Sequence, residues 1–189
     1  MRHTHVTRPF FSSAILLAAA MAWAPSVRAQ SSTALGIAAG ATVPLSSYAD
    51  DKNPGYHLGL ALDIKTPWSP FSTRIDGDFS ELKYKGSSTK EQIWMANANL
   101  VARVPAAMRV TPYVIGGLGV YNRHRTLVFG NTSSTHLGFN AGAGLRFGGA
   151  RGYTFLEIRY HTAGSGSEPQ NSVGRRDIRM VPITFGVSF

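Results

Sequence analysis

Two stretches of this chain place ionisable side chains at every second position. Arg74, Asp76 and Asp78 alternate with Ile75, Gly77 and Phe79, and Phe155, Glu157, Arg159 and His161 alternate with Leu156, Ile158 and Tyr160. Successive side chains of an extended chain point to opposite faces, so each stretch shows charge on one face and mostly apolar groups on the other. Guanidinium and carboxylate groups on facing walls can form a bonded network, joined by the amides of Asn97 and Asn99. Such a network can close an interior or relay protons and ions. Closure is the expectation, because breaking one side of a buried ion pair costs about 3–5 kcal/mol and a complete network avoids that cost. His57, His136 and His161 share the interior alternation. A metal site needs near-fixed ligand geometry, which spacing along separate strands does not supply, so they are read as hydrated histidines at a polar mouth. Neither a metal nor another cofactor is expected.

These residues need walls to hold them. Eight segments alternate over approximately 33–43, 55–65, 71–81, 92–104, 110–121, 135–147, 153–162 and 178–189, each about the length of a tilted membrane-crossing strand. In the first, Leu35, Ile37, Ala39, Ala41 and Val43 oppose Gly36, Ala38, Gly40 and Thr42; in the last, Val181, Ile183, Phe185, Val187 and Phe189 oppose Thr184, Gly186 and Ser188. The sixth sets Leu137, Phe139, Leu145 and Phe147 against Gly138, Gly142 and Gly144, as a crowded interior requires. Connections after the second, fourth and sixth segments are short, while those after the first, third, fifth and seventh are longer and rich in Gly, Ser, Asn and charge. An up-and-down membrane barrel predicts this asymmetry, with short periplasmic turns and long external loops. Pro182 lies inside a strand that should be paired on both edges, which predicts a bulge there.

The first 29 residues read as a signal peptide removed on export, leaving residues 30–189 as one domain. Arg2 and Arg8 form the basic start, Ala14 to Ala24 the apolar stretch and Val27-Arg28-Ala29 the cleavage site. The whole chain carries nineteen Lys and Arg against ten Asp and Glu; removing Arg2, Arg8 and Arg28 leaves sixteen against ten. In a cytosolic protein that balance would suggest nucleic acid, and export argues against it. There is no cysteine, so neither a disulfide framework nor a thiolate metal site can form.

The segment following the signal resembles the small eight-stranded outer-membrane barrels of Gram-negative bacteria, of the OmpA, OmpX and opacity-protein type. The features that carry the resemblance are the signal peptide, the eight alternating segments, Thr111-Pro112-Tyr113-Val114 followed by Gly116, Gly117 and Gly119, and the terminal Phe189. The resemblance implies an all-β, antiparallel, up-and-down transmembrane β-barrel in the outer membrane. It also implies that Phe189 is the signal read by the barrel assembly machinery. Glu157-Ile158-Arg159-Tyr160-His161-Thr162-Ala163 faintly resembles a region of outer-membrane lipid A deacylases in which a histidine precedes a serine by two positions, but Ala163 stands at the serine position. Ser165 and Ser167 lie in a Gly-Ser loop with no base arranged for them, so catalysis is not expected.

Recognition therefore falls to the external loops. Lys83 and Lys85, Arg123 and Arg125, and Arg175 and Arg176 are the expected contacts to phosphates of lipopolysaccharide, with a host or phage surface as a further candidate partner. The expectation is a monomeric barrel with a side-chain-plugged lumen that acts in membrane structure and surface interaction, and the alternatives are a lipid A-modifying enzyme and a narrow solute channel.

Overall fold

The computed structural model describes residues 33–104, 110–127, 130–149, 152–164 and 177–189. The proposed signal peptide, Ser165, Ser167, Arg175 and Arg176 lie outside the described residues. Eight strands, β1 (Thr33–Pro44), β2 (Gly55–Lys65), β3 (Phe71–Lys83), β4 (Lys90–Arg103), β5 (Val110–Leu127), β6 (Gly130–Gly149), β7 (Gly152–Ala163) and β8 (Ile178–Ser188), pair in chain order. β8 returns to β1, so the sheet closes and leaves no edge along the shared length. At the seam Leu35 and Phe189 exchange backbone hydrogen bonds of 3.0 and 2.9 Å.

The alternation read from the sequence sets the two surfaces. Leu118 and Leu137 are 71% and 78% exposed on the outside of the wall, while Arg74 and Glu157 are 1% exposed within it. Leu, Ile, Val and Phe thus cover the exterior, and the charged groups of the wall are held inside. A water-soluble domain reverses this arrangement, and a sheet immersed in lipid requires it. Aromatic groups mark both margins of the belt. Tyr56, Phe79 and Trp94 pack with tilted rings at the loop-bearing end, with Phe79 and Trp94 centroids 4.7 Å apart, and Trp68, Phe71, Phe147 and Phe189 lie exposed toward the termini.

Two expectations need correction. β5 and β6 run well past 121 and start well before 135, so the anticipated third loop is mostly paired strand, with Leu127 opposite Gly130. Arg123 and Arg125 are consequently strand residues. Their neighbours lack the apolar alternation that marks a strand in lipid, but above the lipid a ladder needs only backbone partners and β-tolerant residues such as Thr126, Thr132 and Thr135. Pro182 also forms no bulge. The β7–β8 ladder is interrupted between Ile158–Ile183 and His161–Met180 and resumes in the same register, while Thr42 of β1 stays opposite Pro182. Loss of one N–H donor is absorbed as missing pairs rather than as an inserted residue.

An eight-stranded barrel leaves room only for its own side chains. Glycines make room for the largest of them: a Cβ at Gly144 would lie 2.4 Å from Tyr113 Cζ, and one at Gly186 would lie 2.2 Å from Phe155 Cζ.

Candidate functional site in the barrel interior

Glu157 of β7 sits at the centre of the ionic layer nearer the termini. It accepts from Arg74 Nη1 and from the Tyr113 hydroxyl at 2.8 Å each, and from Arg159 Nε at 2.9 Å and Nη2. Arg74 also holds Asp63 through Nε at 3.1 Å, and Arg159 Nη1 holds Asp76 at 2.5 Å. Tyr153 donates to Asp63, and Arg146 lies 3.7 Å from that carboxylate with its guanidinium 3.6 Å above the Tyr153 ring. Asn99 donates to Asp76 at 2.6 Å and Asn97 to Asp78 at 3.4 Å. All seven residues singled out for the lumen, Arg74, Asp76, Asp78, Asn97, Asn99, Glu157 and Arg159, therefore lie in the interior with the partners named here. β3 and β7 are opposite walls of the closed sheet, so the Arg74–Glu157 bond crosses the barrel.

Above this layer, a cavity of about 20 Å³ is lined by His57, His161, Asp76, Asp78, Arg159 and Thr184 among others. That is room for a water molecule and not for a solute. His57 bonds Thr184 at 2.9 Å and Thr42 at 3.4 Å, and His161 bonds the Tyr121 hydroxyl at 2.9 Å. The histidines are thus buried, contrary to the expected hydrated mouth, because strands and loop continue above them. His136 is buried elsewhere, beside Ser134 at 3.0 Å, and does not line the cavity. Among the described residues no group of three His, Cys, Asp or Glu is placed to hold a metal ion.

Next comes an apolar layer that the sequence reading did not anticipate. It contains Leu82, Ile93, Met95, Ile178 and Met180 together with the rings of Tyr48 and Tyr121. The two tyrosines fix its position between polar layers, since Tyr121 bonds His161 on one side and Tyr48 donates to Glu91 on the other.

Glu91 organises the loop-bearing end. It is fully buried, accepts from Tyr48, from Tyr84 at 2.7 Å and from Arg125 Nε at 2.8 Å, and lies 3.6 Å from Arg123 Nε and 3.8 Å from Lys52 Nζ. Tyr48 belongs to a short 3₁₀ turn, Ser46–Ala49, in the β1–β2 connection, and Lys52 of the same connection places its ammonium 4.1 Å from the Tyr48 ring centroid. Burial, opposed by Glu91, holds the Lys52 amine below the usual lysine range. Burial and the Glu91 charge push the Tyr48 and Tyr84 hydroxyls above the usual phenol range.

The structure thus turns Arg123 and Arg125 inward, away from the lipid phosphates for which they were expected, because Glu91 offers a buried carboxylate on the same wall. Lys83 remains exposed at the end of β3, and Lys85 donates to the Ala49 carbonyl at 2.9 Å. Sequence reasoning missed Glu91, Lys52, Tyr48 and Tyr113. Glu91 shares the odd, inward parity of Asn97 and Asn99, and Tyr113 that of Gly117, so both carried a signal. Tyr48 and Lys52 lie in a connection without periodicity and carried none.

A family profile described as the outer membrane protein beta-barrel domain matches residues 10–189. Among solved structures the chain is similar to Neisserial surface protein A, with a TM-score of 0.65, 16% identity, and 82% of this chain covering 94% of that one. It is also similar to the N-terminal β-barrel domain of OprF from Pseudomonas aeruginosa, with a TM-score of 0.50, 12% identity, and 82% of this chain covering 97% of that one. At these identities the likeness is one of fold. No curated protein matches the sequence.

Proposed function

The chain belongs to the outer membrane protein beta-barrel domain family and resides in the bacterial outer membrane, and we propose that it acts there as a monomeric, non-enzymatic barrel with a side-chain-plugged lumen, exported by its signal peptide and inserted by the barrel assembly machinery through the strand ending in Phe189. The observation that carries this reading is the bond from Arg74 across the barrel to Glu157, continued by Arg159 to Asp76. Ions crossing the barrel would have to part charge-assisted hydrogen bonds in an interior filled by side chains. His161 is buried against Tyr121, which argues against its serving as a base for an external lipid. Planar-bilayer recording tests the plug: the purified protein should give a closed baseline, and large, steady, reproducible steps would make it a channel instead.

Surface interaction falls to groups outside the lumen. Lys83 and Lys85, with Arg175 and Arg176, form the set proposed to contact lipopolysaccharide phosphates, and Arg123 and Arg125 leave it. Replacing these four by Ser should leave the fold intact while weakening co-purification of lipopolysaccharide and flattening its dependence on salt. Unchanged retention across a salt series would reduce the four to solvated charges. A host or phage surface remains the further candidate partner of the same end.

A further inference from the structure

The β1–β2 connection, residues 45–54, lies over the external mouth with Ser46, Ser47, Asp50, Asn53 and Pro54 exposed, while two of its side chains, Tyr48 and Lys52, reach into the barrel. Tyr48 is fully buried among Leu82, Ile93, Met95, Ile178 and Met180, and Lys52 is 2% exposed. Five groups from three segments meet on one carboxylate: Tyr48 and Lys52 from this connection, Tyr84 from the β3–β4 connection, and Arg123 and Arg125 from β5. Beneath the Tyr48 ring the lumen is apolar, and beneath that it is closed by the Glu157 network. The root of the connection is constrained as well. Ser46 has φ 53°, a left-handed conformation that a residue with a side chain holds only where its surroundings impose it.

We propose that residues 45–54 form a latched lid, with Glu91 as the latch, over a blind external chamber that binds a phenol-like aromatic ligand, the chemistry that Tyr48 itself presents there while the lid is shut. The chamber offers such a ligand apolar walls for its ring, a guanidinium near its face, as Arg123 stands 5.8 Å from the Tyr48 centroid, and the Glu91 carboxylate to accept its hydroxyl. Removing the latch leaves Lys52, Arg123 and Arg125 without the carboxylate they share and lets Ser46 relax. The Tyr48 ring then leaves the mouth, with the connection still tied at its margins by the backbone bonds of Leu45 to Arg179, Asp51 to Lys85 and Asn53 to Lys83 and by Lys85 on the Ala49 carbonyl, while the barrel wall and the lower plug remain as they are.

The chain contains no cysteine, so one introduced thiol reports on the chamber without background. Ile93→Cys places it at a fully buried wall position. A membrane-impermeant maleimide applied to intact cells should leave Ile93→Cys unlabelled when the rest of the chain is native. Labelling should be faster by about ten-fold or more when Glu91→Gln or Tyr48→Ala is added, since local opening then controls access. Tyr48→Phe, which keeps the ring, should stay largely protected. p-Cresol, the tyrosine side chain as a free molecule, should restore protection to the Tyr48→Ala variant. Heat-modifiable migration on a gel shows which variants have folded, and an unchanged bilayer baseline separates lid opening from loss of the plug. Rapid labelling in the native background would remove the lid, equal protection in folded Glu91→Gln and Tyr48→Ala would remove the latch, and failure of p-cresol to slow labelling would remove the ligand site.

Discussion

Substituting Glu157 by Ala is the sharpest way to measure what the interior network contributes. The change strips four donor contacts at once, from Arg74 Nη1, the Tyr113 hydroxyl, and Arg159 Nε and Nη2. Neither guanidinium is left without a carboxylate, because Arg74 keeps Asp63 at 3.1 Å and Arg159 keeps Asp76 at 2.5 Å. The ionic part of the loss therefore belongs at the lower end of the 3–5 kcal/mol typical of breaking a buried pair, and the stranded Tyr113 hydroxyl adds about 1 kcal/mol. A total near 4 kcal/mol corresponds to a roughly thousand-fold shift in the folding equilibrium. The combination Arg74→Met with Glu157→Met should recover about half of that, since apolar groups of similar volume replace a desolvated pair at little net cost. Urea unfolding in phospholipid vesicles measures both variants through Trp68 and Trp94, which face outward at 76% and 55% exposure. A loss below about 1 kcal/mol for Glu157→Ala would refute the argument that these contacts are formed together in a buried interior.

Gly144→Ala should destabilise the barrel by about 1–3 kcal/mol in the same assay, because the new methyl would meet Tyr113 and push its hydroxyl from Glu157; full stability would mean that the ring has room to move. Deleting Phe189 removes its paired bonds to Leu35 at the seam and should lower the yield of heat-modifiable protein in the outer membrane, and normal assembly would separate that residue from insertion. Above pH 10 the external cap should loosen. Tyr48 and Tyr84 titrate higher in the folded state than the ordinary phenol value of 10.0, so their contribution, complete below that value, is lost as pH rises through their folded values. Lys52, lowered on folding, opposes this with one proton against two. Iodoacetamide labelling at Ile93→Cys, taken as a ratio to an exposed control thiol so that thiolate formation cancels, should therefore rise across an alkaline series, and a flat ratio would contradict the sign.

The barrel was legible because lipid and lumen impose a period of two on every strand, and the period survives wherever both are present. Leu58, Leu60 and Leu62 against His57 and Asp63 already separate the faces of β2, and Arg74 with Glu157 already share the inside. The apolar half of the period fails above the membrane, where the outer face is wet and the inner face carries Arg123 and Arg125 toward Glu91, so the outer halves of β5 and β6 read as loop. It also fails in the β1–β2 connection, where Tyr48 and Lys52 are placed by tertiary contact with Glu91. Nor does parity reveal height. His57, His136 and His161 share a face, yet register and strand stagger decide that two of them line one cavity and the third does not.

The reach of the β5–β6 hairpin bears on how the cell surface is met. At about 3.4 Å per residue, the 20 residues of β6 extend about 68 Å, against about 41 Å for the 12 of β1, and the excess stands above an apolar belt roughly 25 Å tall. Asn122 donates to Thr135 at 2.7 Å, and Ser133 meets Asn122 and His124 at 3.4 Å, so side chains as well as backbone brace the ribbon. A molecule arriving at the stretch around Asn122, His124, Ser133 and Thr135 meets side chains already bonded to one another. The entropy of ordering is lost at folding and not at encounter, so recognition on this ribbon would favour slow dissociation over adaptability and would depend on its alternating faces more than on its linear sequence. Antibodies raised against a flexible peptide of this region would then bind the intact cell poorly.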